Sequence, residues 1–165
     1  MTEKIIIRPY QSKDHKQVVD LVVPIQTKEF NIDISLAAQP DLVNLESFYG
    51  QGSSKFWVAS IDDEVIGTVA LIDLGDGLAA LRKMFVKKDY RGTKNSISVA
   101  SMLLETLITW AKSTGIKEIW LGTTLQFQAA QRFYEKNSFL EVSENALPVA
   151  FPRMAVDSKF YFRKL

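Results

Sequence analysis

The sequence contains no cysteine and a single histidine, His15. These absences exclude disulfide staples, thiolate nucleophiles, thiolate zinc sites and iron–sulfur clusters, and they leave too few imidazoles for a multi-histidine metal site. No segment approaches the length of a membrane span. The opening MTEKIIIRPY lacks both the apolar core and the small-residue cleavage site of a secretory signal. A cytoplasmic protein working without a membrane or a metal is therefore expected. Charge of one sign is also lacking: 20 Lys and Arg stand against 19 Asp and Glu, for a net charge of +1. The chain is not a polycation built to coat nucleic acid.

What is present is a chain of 165 residues, 47% hydrophobic, with ten Phe, five Tyr and three Trp. That length and composition suit one domain, 1–165, with a substantial core. Lys4–Arg8 is rich in Ile and reads as an opening strand. Pro9 and the polar Gln11–Asp14 start a helix carrying Val18, Leu21, Val22 and Ile25, which Pro24 should kink or end. Asp41–Tyr49 reads as a second helix, followed by a loop at 50–54. Phe56–Ile61, Val65–Ile72 and Leu78–Val86 then form an antiparallel meander, with turns at Asp62-Asp63 and Gly75-Asp76-Gly77.

From Val99, apolar residues recur at helical spacing through Ala111, and Gly115 stands where a C-cap belongs. Ile116–Leu121 is a short strand and Gln126–Lys136 an amphipathic helix. Phe139–Val142 and Val156–Phe162 close as strands across a loop between Pro148 and Pro152.

Positive charge is concentrated in one place. Arg82–Lys94 holds six basic residues and one acid, a local charge of +5, where a strand runs toward a helix start. Free N–H groups and the helix dipole favour a phosphate there, so the segment reads either as a phosphate site or as a solvated basic loop. Aromatic residues do not interleave with these charges as a nucleic-acid stacking surface requires. No Walker loop, nucleophile elbow or His-Glu-x-x-His is present.

Three pieces in order resemble the GNAT superfamily of acyl-CoA-dependent N-acyltransferases. LRKMFVKKDYRG (Leu81–Gly92) is similar to the family's fourth strand and the opening of its pyrophosphate loop. Leu103-Leu104 with AKSTGIKEIWL (Ala111–Leu121) is similar to the long helix and fifth strand. AAQRFYEKNSF (Ala129–Phe139) is similar to the family's Tyr-Glu-Lys signature. The resemblance implies an α/β fold of the α+β type, with a mixed, mostly antiparallel sheet of six to seven strands and about four helices.

It also implies acetyl transfer from acetyl-CoA straight to a small-molecule or peptide amine. A noncatalytic acyl-CoA binding or sensing module is the alternative. Homodimers are common in the family. Arg91, Gly92, Lys94, Ser96, Ser98, Val99 and Ala100 would hold the pyrophosphate, the backbone of Phe85 and Val86 would line the thioester, and Tyr134 would protonate the departing thiolate. A phenol near pKa 10 and a thiol near about 8.5 are close enough for that transfer. Read from the residues alone, Tyr134 is equally an aromatic on an amphipathic helix, and Met84-Phe85-Val86 a core strand.

Departures mark this chain. Ser98 stands for a loop glycine and lies seven residues after Arg91, four further than the resemblance places it. Ala80 stands where relatives often carry a Glu, Phe127 where many have Asn, and Ser138 where they have Gly. The general base is left open among a water chain, Glu29, Asp33, His15 and an acceptor of low pKa.

Overall fold

The computed structural model describes residues 4–92 and 98–165. Seven strands form one sheet in the order β1-β2-β3-β4-β5-β7-β6: β1 Ile6–Pro9, β2 Lys55–Ile61, β3 Glu64–Gly75, β4 Leu78–Val86, β5 Glu118–Thr123, β6 Leu140–Val142 and β7 Lys159–Lys164. Every neighbouring pair is antiparallel except β4 and β5. The helices are α1 His15–Pro24, α2 Pro40–Val43, α3 Leu45–Tyr49, α4 Val99–Ser113 and α5 Gln128–Lys136. No described helix is long and apolar enough to cross a membrane.

Period-two alternation sorts the strands onto two faces. On one face Trp57, Ala59, Val69, Leu71, Ala79 and Leu81 pack against Val99, Leu103, Leu107 and Ala111 of α4. On the other, Phe56, Val58, Val65 and Ala70 pack against Val18 and Val22 of α1, Leu42 of α2 and Leu45 of α3. A smaller cluster of Ala80, Trp120, Leu147, Phe151 and Phe160 extends that layer toward the C-terminal loop. Gly67 lets α4 lie close: a Cβ there would come within 3.1–3.3 Å of Leu103, Val99 and the Phe85 carbonyl.

Three expectations are corrected. Asp41–Tyr49 is not one helix. Asn44 sits at φ −135° and ψ 79°, so it ends α2 and caps α3 through its side chain. The first helix does stop at Pro24, but the chain continues as a π-helical turn, Ile25–Glu29. The strand expected at Ile116 begins at Glu118, because the carbonyl of Gly77 takes the N–H groups of Lys117 and Glu118 first.

Ser138 holds φ +70°, in the left-handed region that favours glycine. Ser138→Gly is expected to raise stability by about 0.5–1 kcal/mol, the relieved backbone strain outweighing the added freedom of the unfolded chain. Urea unfolding of the two proteins checks it.

Candidate functional site

The site starts from one inserted residue. Thr68 pairs with Phe85 and Ala70 with Arg82, so two steps along β3 match three along β4. Lys83 takes up the difference at φ +55°, and the Thr68 hydroxyl donates to its carbonyl at 2.7 Å. This bulge reverses the alternation. Ala79 and Leu81 face α4 before it, Met84 and Val86 after it, while Phe85 turns to the α1 side.

Beyond the bulge the sheet opens. β4 and β5 pair only at Leu78, Ala79 and Ala80, against Glu118, Ile119 and Trp120. Their C-terminal halves then diverge, and two cavities fill the gap. The larger, about 590 Å³, runs along Phe85, Val86, Tyr90, Arg91 and Gly92, past Ser98 and Ala100 of the α4 start, to the α5 face carrying Arg132 and Lys136. The smaller, about 110 Å³, lies on the α1 side between Lys83, Gly122, Thr124, Tyr134, Phe151 and Asp157. Met84, Phe85, Phe127 and Ala130 line both, so the cavities meet just past the bulge.

The smaller cavity is polar at its base. Lys83 and Arg82 both reach Asp41, at 3.5 Å and 3.7 Å. The Tyr49 hydroxyl donates to the same carboxylate at 2.6 Å. Lys83 also donates to Gln39 at 2.6 Å, and Gln39 exchanges two hydrogen bonds with Gln26 of the π turn. Burial alone would raise the Asp41 carboxyl, but the charges of Lys83 and Arg82 and the Tyr49 hydroxyl outweigh it and hold it below its ordinary value. Burial likewise lowers Lys83 to about 8 despite Asp41.

Across the cavity, burial pushes the Asp157 carboxyl up to about 6, against the pull of Arg82 and Lys83. Tyr134 is 5% exposed, and burial, then the charge of Asp157, raises its phenol and keeps it protonated. The hydroxyl of Thr124 is enclosed without a partner among the described residues.

The sequence profile described as the acetyltransferase (GNAT) family matches residues 20–139. The chain belongs to the GNAT family of acetyltransferases. Its backbone superposes on the crystal structure of a GNAT-family acetyltransferase from Staphylococcus aureus Mu50 with a TM-score of 0.93, at 38% identity over 98% of this chain and 99% of that one. A PaiA N-acetyltransferase from Thermoplasma acidophilum, solved with coenzyme A, shares the fold at a TM-score of 0.72 and 18% identity, over 98% and 99% of the two chains. A probable N-acetyltransferase, camello, of Xenopus tropicalis is 29% identical over 82% of this chain, which spans 61% of that relative's length. The seven-stranded mixed sheet with five helices is the GNAT architecture expected from the motifs.

Within this GNAT chain most of the expected site residues gather on the larger cavity: Phe85, Val86, Arg91, Gly92, Ser98 and Ala100 line it. Val99 sits among them in sequence, but its side chain is 2% exposed and belongs to the core. Lys94 and Ser96 lie outside the described residues. Arg91 donates to the Val86 carbonyl at 2.7 Å and forms a two-pronged ion pair with Glu29, one prong at 2.8 Å. Tyr134 lies on the smaller cavity, close to where the two join.

The +5 segment does not act as one patch. Arg82 and Lys83 turn inward to Asp41, Lys87 pairs with Glu64 at 3.2 Å, and Arg91 faces the larger cavity. Of the acids and bases considered, Glu29 is held by Arg91, His15 donates to the Leu42 carbonyl at 2.8 Å, and Asp33 is exposed. Phe127 replaces an expected hydrogen-bonding side chain with an aromatic wedge, 4.8 Å from Phe30 and 5.9 Å from Phe85.

Sequence reasoning passed over Asp41, Gln39, Lys83 and Asp157. It also passed over Arg132 and Lys136, whose i, i+4 spacing on α5 did carry a signal. Asp41→Ala, which strands Lys83 and Arg82 without their anion, is expected to cost about 3–5 kcal/mol of stability. Because Asp41 titrates lower in the folded chain than in the unfolded one, its contribution is in place above about pH 4 and is lost as pH falls through and below that range. Denaturation of both proteins at pH 7 and pH 3 reads both effects: the gap between them should narrow in acid.

Proposed function

We propose that this protein transfers an acetyl group from acetyl-CoA directly to a primary amine. The observation that carries the reading is the junction of the two cavities at the β4 bulge. A long cleft suited to an extended donor there opens into a small polar pocket suited to an acceptor. With no cysteine to carry an acyl group, donor and acceptor react in one ternary complex.

In this reading the pyrophosphate lies against Arg91 and the α4 start, where Ser98, Ala100 and Ser101 line the cleft. Arg91 must then exchange Glu29 for phosphate. Among the described residues the β4 backbone beyond Ala80 has no partner strand on the β5 side, so its N–H groups on that side are open to the donor's amides and to the thioester oxygen, where negative charge develops. Tyr134 gives its proton to the sulfur as the carbon–sulfur bond breaks. The burial that keeps the phenol protonated makes it a weaker acid, and the same dry surroundings make the nascent thiolate a stronger base, so the two effects offset one another. The reading places the enzyme in the cytoplasm; a homodimer, implied by the resemblance, is checked by sedimentation.

The rival reading, a noncatalytic acyl-CoA sensor, shares the cleft and lacks the transfer. Acetyl-CoA is expected to bind with micromolar affinity by calorimetry, and Arg91→Ala to weaken it about tenfold or more. Tyr134→Phe should leave that affinity within about twofold and lower kcat by about 10²-fold, the usual scale for losing an acid–base group. Binding by the wild type without release of free CoA thiol to any amine would favour the sensor.

A further inference from the structure

The acetyl-transfer reading leaves the acceptor's proton without a destination. The groups the sequence offered for it are engaged elsewhere or lie away from the smaller cavity: Glu29 on Arg91, His15 on Leu42. One carboxylate on the cavity wall, that of Asp157, has no hydrogen-bond or ion-pair partner among the described residues. We propose that Asp157 receives the acceptor's ammonium group and takes the proton from it before the nitrogen attacks the donor's carbonyl carbon.

The loop before β7 aims this side chain. The Asp157 N–H donates to the Met154 carbonyl at 3.1 Å, closing a turn, and the next residue, Ser158, donates to the Thr123 carbonyl at 2.9 Å, anchoring the loop on β5. The carboxylate is thereby laid over Gly122, with Oδ2 2.6 Å from where a Cβ on that residue would stand. Only a glycine leaves room for it. Gly122 lies where β5 has parted from β4, so Asp157 overlooks the mouth of the gap in which the thioester would lie. It shares the cavity wall with Tyr134, Met84 and Phe85, and its charge is felt at the Tyr134 phenol.

Among the described residues its carboxylate accepts no hydrogen bond and forms no ion pair; Arg82 and Lys83 act on it only through the field. A partly buried carboxylate left without a donor is costly unless a ligand supplies one, and an ammonium group supplies up to three.

The charged and titratable groups facing Asp157 are Arg82 and Lys83 from β4 and Tyr134 from α5. Lys83 and Arg82 are themselves drawn toward Asp41, so their charge keeps Asp157 ionised without tying it down. A carboxyl that titrates near about 6 is ionised at neutral pH and binds a proton more readily than an ordinary aspartate.

The step balances as follows. Asp157 takes one proton from the ammonium. The freed lone pair forms the carbon–nitrogen bond, the carbon–sulfur bond breaks, and the thiolate takes the proton of Tyr134. The second proton of the attacking nitrogen restores the phenol, and Asp157 releases its proton to water.

The test compares two kinds of nucleophile with acetyl-CoA as donor, in wild type and Asp157→Asn, following free thiol after subtraction of the release seen without enzyme, since hydroxylamine cleaves thioesters unaided. One is a panel of primary amines: the amino acids, their amides, tyramine and spermidine. The other is hydroxylamine, which is uncharged at neutral pH and has no proton to surrender first. With wild type, transfer to the best amine should rise with pH through about 6; hydroxylamine, whose own conjugate acid titrates in the same range, is compared at pH 7 only. With Asp157→Asn, amine transfer at pH 7 should fall by about 10²-fold or more while hydroxylamine transfer stays within about threefold, which also shows that the variant is folded.

Equal loss with both nucleophiles, or no loss with either, overturns the role of Asp157 and leaves the acetyl-transfer reading standing. So does a wild type that acetylates hydroxylamine but no amine of the panel. A wild type that binds acetyl-CoA and acetylates neither overturns both.

Discussion

The left-handed turn of the backbone at Lys83 is the constraint on which the rest of the site depends. A lysine holds that conformation at a cost of about 1–2 kcal/mol, and it does so in the middle of a strand with its ammonium buried. The Thr68 hydroxyl holds its carbonyl and Gln39 and Asp41 hold its charge. Were Lys83 deleted from the register, Met84 and Phe85 would exchange faces. Phe85 would leave Phe127, and the two cavities would lose the wall they share. The extra residue also puts Arg82 and Lys83, neighbours that a regular strand sends to opposite faces, on the same carboxylate.

Two aspartates flank this pair of cations and meet opposite fates. Asp41 is contacted by both cations and a phenol, and its proton is lost more easily than usual. Asp157 has the field of the same cations but no donor of its own, and its proton is held more tightly. Direct partners against bare desolvation account for the difference. Separation of this kind lets one pair of cations serve both a structural anion and a titrating one.

The order of elements was legible in the sequence because it rests on periodicity: the meander from 56 to 86, α4 and α5 all follow the spacing of their apolar residues. Tyr134 and Arg91, which line the smaller and the larger cavity, were singled out through motif resemblance. The bulge was not, since a lysine in the left-handed region leaves no mark of the kind a glycine leaves. The charge count over 82–94 grouped Arg82 and Lys83 with the bases of the loop because it ignored which way each one faces. Asp157 lies in an irregular loop, and only β5 packing beneath it gives it a position. The break at Asn44 was hidden because Leu42, Leu45 and Tyr49 keep helical spacing across it.

The parallel contact between β4 and β5 has a mechanical meaning. Three residue pairs join a four-stranded half, β1 to β4, to a three-stranded half, β5, β7 and β6. Gly77, whose carbonyl takes the N–H groups of Lys117 and Glu118, sits at the closed end like the pin of a pair of tongs. At the open end the jaws carry β4 past its bulge on one side and Gly122 with Asp157 on the other. By lever geometry, a small rotation about the pin would become a larger displacement at the tips. Whatever spans the jaws splints the two halves, and the stiffness of the whole sheet then depends on what it is holding.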